Sequence, residues 1–145
     1  MNDIEAMTIA YNQAMIAKEH DEVPIGAIVV KDNQIIGMGY NQKETLNDVT
    51  AHAEMIAIKQ ACQKLQTWHL NGCTLYSTLE PCMMCSGAII QSRISRVVFG
   101  ASGVRWDGIS RYVKDHHFNH YPDIVSGIYE KECCSLLSDY FKTKR

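Results

Sequence analysis

Apolar residues recur at helical spacing through residues 2–19, where Ile4, Met7, Thr8, Tyr11, Ala14 and Met15 form one mostly apolar stripe. The period then shortens. Residues 23–30 are rich in β-branched side chains, a polar turn follows at Lys31 to Gln34, and residues 34–40 read as the returning strand of a hairpin. Gly37 and Gly39 in that strand call for a close backbone approach or a bulge. After a polar loop over residues 41–47, helix formers run from Ala51 to Gln66 behind Thr50 as N-cap, with Met55, Ile58, Cys62 and Leu65 as the inner stripe. Residues 73–77 predict a short strand, 81–92 a helix opened by Pro81 at its first position, and 97–99 a further strand. That strand–helix–strand order implies neighbouring parallel strands.

Residues 101–121 carry no clean period, whereas 123–126 read as a last strand and 130–141 as a last helix with Cys133, Leu136, Leu137, Tyr140 and Phe141 apolar. No repeat or low-complexity block interrupts the chain. The expected architecture is a single α/β domain over residues 1–145, with three layers, α/β/α.

At 145 residues and 46% hydrophobic, the chain has the size of one ordinary core. No apolar run approaches the ~18 residues of a membrane span, and residues 1–5 lack the pattern of a secretion signal. Six cysteines without such a signal fit a reducing cytoplasm, where they serve as metal ligands or core before disulfides. The net charge of -2 excludes a blanket case for nucleic-acid binding. Its distribution is uneven: residues 1–92 carry -5 and residues 93–145 carry +3, which permits a basic patch in the last third.

Candidate chemistry sits in two short runs, Thr50-Ala51-His52-Ala53-Glu54 and Glu80-Pro81-Cys82-Met83-Met84-Cys85. One histidine and two cysteines three apart, all at expected helix starts, make a three-donor zinc site with a position left for water, the mark of catalytic rather than structural zinc. His52 and Glu54 are two apart and share no mid-helix face. They converge only on a point beyond the helix N-terminus. Cys82 and Cys85 do share a face, in first turns whose free N–H groups favour thiolates. Glu54 is then free to take a proton from the water and hand it on to a substrate. Cys62, Cys73, Cys133 and Cys134 read as small buried apolar groups, Trp68 and His69 as packing, and His116, His117 and His120 as exposed loop residues.

His-Ala-Glu followed by Pro-Cys-x-x-Cys resembles the signature of zinc-dependent nucleobase deaminases. From Asp21 to about Gly100 the chain is similar to bacterial tRNA-specific adenosine deaminases, within the cytidine and deoxycytidylate deaminase superfamily. The runs Glu22 to Ala27, Tyr40-Asn41, Asn71 to Tyr76 and Thr78 to Ile89 carry the likeness, which returns at Phe118 to His120 and at Glu132 to Phe141. The resemblance implies a cytidine-deaminase-like fold with a mixed five-stranded sheet, and one Zn2+ per subunit on His52, Cys82 and Cys85 with Glu54 as proton shuttle. It implies substrate contacts from Asn41, Ile25 and Ala53, although by its residues alone Asn41 reads as a turn after a strand. It also implies a homodimer acting on the wobble adenosine of a tRNA anticodon loop.

The segment after Gly100 departs from the family pattern, with Gly103 about where an acidic residue that contacts RNA is expected. Arg105 and Trp106 in this segment could hold a phosphate and stack on a base, or Trp106 could seal a smaller pocket. The alternative substrate is accordingly a free nucleobase or nucleoside, such as guanine or cytosine. A third reading is a non-catalytic zinc-bound subunit of an editing complex, against which Glu54 speaks.

Overall fold

Alternation along the strands sorts the core into two halves. Ala27, Val29, Leu75, Val97 and Phe99 belong to one cluster, and Ile28, Tyr76 and Val98, their sequence neighbours, to another. The structure, a computed structural model, describes residues 1–103 and 105–144. The elements are α1 (Asp3–Glu19), β1 (Gly26–Lys31), β2 (Gln34–Tyr40), α2 (Lys43–Leu46), α3 (Ala53–Leu65), β3 (Thr74–Leu79), α4 (Met83–Gln91), β4 (Arg96–Ala101), α5 (Ile109–Asp115), β5 (Asp123–Ser126) and α6 (Glu130–Thr143). The strands form one sheet in the order β2-β1-β3-β4-β5. β1 pairs antiparallel with β2 and β3, while β3, β4 and β5 run parallel, so the sheet is mixed. Helices α1 and α6 cover one face, and α3, α4 and α5 the other.

Close approach of helix to sheet rests on small residues. Gly26 lies against the Ala10 carbonyl of α1, and an added Cβ would stand 2.1 Å from that oxygen. The buried face of α1 is therefore Ala6, Met7, Ala10, Ala14 and Ala17, which shares only Met7 and Ala14 with the stripe expected from sequence. Ile4 and Met15 are exposed instead. In α3 the same holds: Ala53, Ala57 and Ala61 are fully buried beside Ile58, while Met55, Cys62 and Leu65 are only half-buried. A Cβ at Gly37 would come 2.1 Å from the Ala57 carbonyl oxygen, and one at Gly39 2.8 Å from that of Ala53. Both features expected of β2 are present, since the β1–β2 register also slips between Val29 and Val30.

Several boundaries shift for local reasons. β1 begins at Gly26 and not Val23, because Pro24 has no N–H to offer and the Ile25 amide turns back to the Val23 carbonyl. Asp32 and Asn33 both have positive φ, as a tight hairpin turn requires. Thr50 does not cap α3. Its amide and hydroxyl both bond Asp48 in a local turn, Ala51 accepts from Gln42, and the helix starts at Ala53. Pro81 precedes α4 rather than opening it, since its carbonyl accepts from Ile109 N–H and the Ser86 hydroxyl while Cys82 takes the N-cap. Helices α2 and α5 are additions to the expected set. No described helix is long and apolar enough to cross a membrane.

Candidate metal centre

Two helix starts meet at the carboxyl ends of the parallel strands β3 and β4, where open α/β sheets hold their ligands. His52 is the N-cap of α3, with extended backbone at φ -77 and ψ 151. Cys82 is the N-cap of α4, and Cys85 lies one turn in. The His52 Nδ1 atom stands 3.6 Å from Cys82 Sγ and 3.5 Å from Cys85 Sγ. Among the described residues these three form the only cluster of histidine, cysteine and carboxylate groups close enough to hold a metal ion. The three histidines of the 116–120 stretch make no second one. His120, read from sequence as exposed, is half-buried and bonds the Ile94 carbonyl.

Charge within the cluster follows from its geometry. The Cys85 thiol beside it draws the Cys82 thiol down to about 4, against the opposing effect of burial. The same hydrogen bond, reinforced by burial, pushes Cys85 far above an ordinary thiol. One proton is thus shared by two sulfurs, and a cation among them favours the thiolate at both. Hydrogen bonding to Cys82 raises His52 above its usual value, with burial opposing. Glu54, at the second helical position of α3 and almost fully buried, is pushed up to about 7 by that burial, with its own backbone amide opposing.

The cluster opens into a cleft of about 660 Å³. Ile25, Asn41, His52 and Cys82 line it, while Ala53 is fully buried behind the wall together with Glu54. Asn41 spends its Oδ1 on the Ala53 amide at 2.9 Å, capping α3 from twelve residues away. Among the described residues three cations, Lys43, Arg105 and Lys142, also line the cleft, and no carboxylate does. α6 closes one side with Cys134, Leu137 and Phe141, so the exposed Cys134 faces this space and not the core expected for it. Trp68 lies outside it, exposed and stacked on His69 at 3.8 Å.

Glu80 had no role assigned from sequence. It is buried, and its carboxylate accepts from the amides of Gly103 at 3.2 Å and Ser110 at 3.0 Å, and from the Ser110 hydroxyl. A Cβ at Gly108 would fall 2.3 Å from the Glu80 carboxyl carbon, so the chain there wraps tightly around the acid. The one signal that could have found Glu80 is a carboxylate between a buried strand and a ligand pair.

A family model described as MafB19-like deaminase matches residues 1–132. The tRNA-specific adenosine deaminase of Bacillus subtilis is 44% identical over 96% of this chain and 88% of that protein. A solved tRNA:A34 deaminase structure, from work on A-to-I editing at the wobble position of transfer RNA, superposes with a TM-score of 0.88 at 41% identity, covering 92% of this chain and 99% of that one. The guanine deaminase of Bacillus subtilis superposes with a TM-score of 0.67 at 40% identity, covering 70% of this chain and 66% of that one. Matched over 96% of its length by the Bacillus subtilis tRNA-specific adenosine deaminase and over 92% by the tRNA:A34 deaminase structure, the chain belongs to the deaminase family that includes the tRNA-specific adenosine deaminases.

Proposed function

We propose that this protein is a zinc-dependent hydrolytic deaminase converting adenosine to inosine at the wobble position of a tRNA anticodon loop. The observation that carries the reaction type is the pair of separations from His52 Nδ1 to the two sulfurs, 3.6 and 3.5 Å. A tetrahedral zinc with bonds of ~2.3 Å to sulfur and ~2.0–2.1 Å to nitrogen has an N-to-S edge of about 3.6 Å. Three protein donors leave a fourth position, where zinc supplies Lewis-acid activation of a water.

The residues of this chain do the rest. Glu54 lies two positions beyond His52, out of water, with its carboxyl poised near neutrality. A base of that strength takes a proton from water at neutral pH and returns it to the substrate. As hydroxyl adds to C6 of adenine, Glu54 delivers the first water proton to the ring nitrogen N1. It then carries the proton of the new C6 hydroxyl to the amino group, the C6–N6 bond breaks, ammonia leaves and a C6 carbonyl remains. Ile25 and Asn41 line the approach to the cluster and are assigned to holding the base, with the Asn41 amide NH2 as the available donor. Ala53 is assigned a part through Asn41, since its side chain is buried and its amide holds the Asn41 Oδ1.

An RNA substrate accounts for the rim. Lys43, Arg105 and Lys142, around a cleft that no carboxylate lines among the described residues, suit a phosphate backbone. The named activity of the Bacillus subtilis relative supports the same substrate. A homodimer in the cytoplasm belongs to this reading, and sedimentation of the purified protein at two masses' worth of chain is its expected result. The 40% identity to a guanine deaminase favours a second reading, deamination of a free base or nucleoside. Incubation with an anticodon stem-loop bearing a wobble adenosine, in parallel with free bases and nucleosides, separates the two. Inosine in the stem-loop is the expected product; ammonia from small molecules alone would transfer the assignment to the second reading.

A further inference from the structure

The segment following β4 departs from the family pattern, and the fold gives it a defined place. The Glu80 carboxylate clamps it at both ends, holding Gly103 on one side and Ser110 on the other. Between these clamps Trp106 lies with the six-membered half of its indole against Gly103. A Cβ at Gly103 would stand 2.9 Å from Cζ3 and 3.0 Å from Cη2 of that ring. Glycine at 103 therefore makes room for the tryptophan, and the ring still leaves 42% of the residue exposed.

Trp106 and Gly103 are the two residues shared by the walls of neighbouring cavities. One is the cleft holding His52 and Cys82; the other, of about 240 Å³, carries Lys114 and Arg111, the latter paired with Asp115, together with the carboxylates of Glu80 and Asp107. A deaminase must take its target base out of a stack, which leaves the adjoining base without a neighbour. RNA-binding sites commonly give such a base an aromatic side chain to lie on, with cations nearby for the phosphate. We propose that Trp106, seated on Gly103 and held in place through Glu80, is the stacking surface for the nucleobase adjoining the reacting adenosine in an RNA loop. This rests on the RNA-editing reading, and it identifies how the chain recognises a loop where an acidic contact is missing. Glu80 acts as a positioning residue, Trp106 as a specificity-determining one.

The test is a double-perturbation cycle on the zinc-loaded protein. Turnover of the stem-loop is compared with that of stem-loops made abasic at each position flanking the adenosine, for wild type, Trp106→Ala and Trp106→Phe. Loss of one stacked base costs roughly tenfold in kcat/KM. The expected result is that Trp106→Ala and one abasic position each cost about tenfold and together cost no more than either alone. Trp106→Phe, which keeps a ring, recovers most of the loss. Additive losses at every flanking position would overturn the stacking role while leaving the RNA reading intact, as would an unchanged KM in Trp106→Ala. If wild type edits no stem-loop and Trp106→Ala instead impairs turnover of free bases, the RNA reading fails and the indole is a lid on a small pocket.

Discussion

His52 and Cys82, in the floor of the cleft, each stand at the start of a helix packed on the sheet, whereas Arg105 and Trp106, in its rim, ride on an irregular segment tied down through one carboxylate. The floor is fixed by backbone-to-backbone packing. Gly37 and Gly39 admit α3 so closely that its first turn has little freedom to shift. The rim is fixed by polar contacts from a distance, and it can change while the donor cluster stays as it is. A scaffold divided this way keeps one chemistry and alters what is presented to it.

That division predicts a ranked set of effects. The largest belongs to the floor. Cys82→Ala is expected to leave little bound zinc and to lower turnover by at least ~10³-fold, since water activation is lost with the ion. Elemental analysis beside a deaminase assay reads both quantities, and full activity without zinc would contradict it. Next comes the packing beneath the cluster. Gly37→Ala places a methyl 2.1 Å from the Ala57 carbonyl oxygen, where overpacking is expected to cost ~3 kcal/mol. For a chain of this size that lowers Tm by about 10 °C, measurable by calorimetry.

The rim should respond differently. Glu80→Gln is expected to raise KM for the stem-loop about tenfold while kcat stays within about threefold and zinc content is unchanged, because one buried charge-assisted contact to the segment is lost. Equal losses in kcat and zinc would place Glu80 in the floor instead. The smallest effect concerns Glu22, which caps α2 through the amides of Glu44 and Thr45. Burial would raise the Glu22 carboxyl, but the Thr45 hydroxyl and these amides outweigh it and hold it below the ordinary 4.5. A depressed acid contributes stability above its unfolded value that disappears as pH falls through its folded one. Glu22→Gln should therefore cost ~1–2 kcal/mol at pH 7, and denaturation curves of variant and wild type should converge below pH 4.5.

What the sequence made legible follows the same line. Cys82 and Cys85 could be read because they lie three apart, and His52 because with Glu54 and the later cysteines it matches a known signature. The five strands, the hairpin of the first two and the parallel pairing of the next two were equally visible, as short β-rich runs bounded by turns. The caps were not. Asn41 caps α3, Glu22 caps α2 and Glu80 caps α5, each from a separate part of the chain. A local capping rule therefore chose Thr50, which spends its hydrogen bonds on Asp48. Helix α5 escaped notice because Ile109 is its one fully buried side chain, too few to set a period. The inner face of α1 was caught only at Met7 and Ala14, because alanines, which contribute little hydrophobic signal, are what let a helix lie against Gly26.

The central claim is that three donors hold one zinc while Glu54 moves the proton. Glu54→Gln keeps the shape of that side chain and removes its basicity. Zinc content and stem-loop turnover measured on the same preparation test the claim directly. About one zinc per chain with kcat lowered by ~10²–10⁴-fold is the predicted result. Turnover near that of wild type would contradict it.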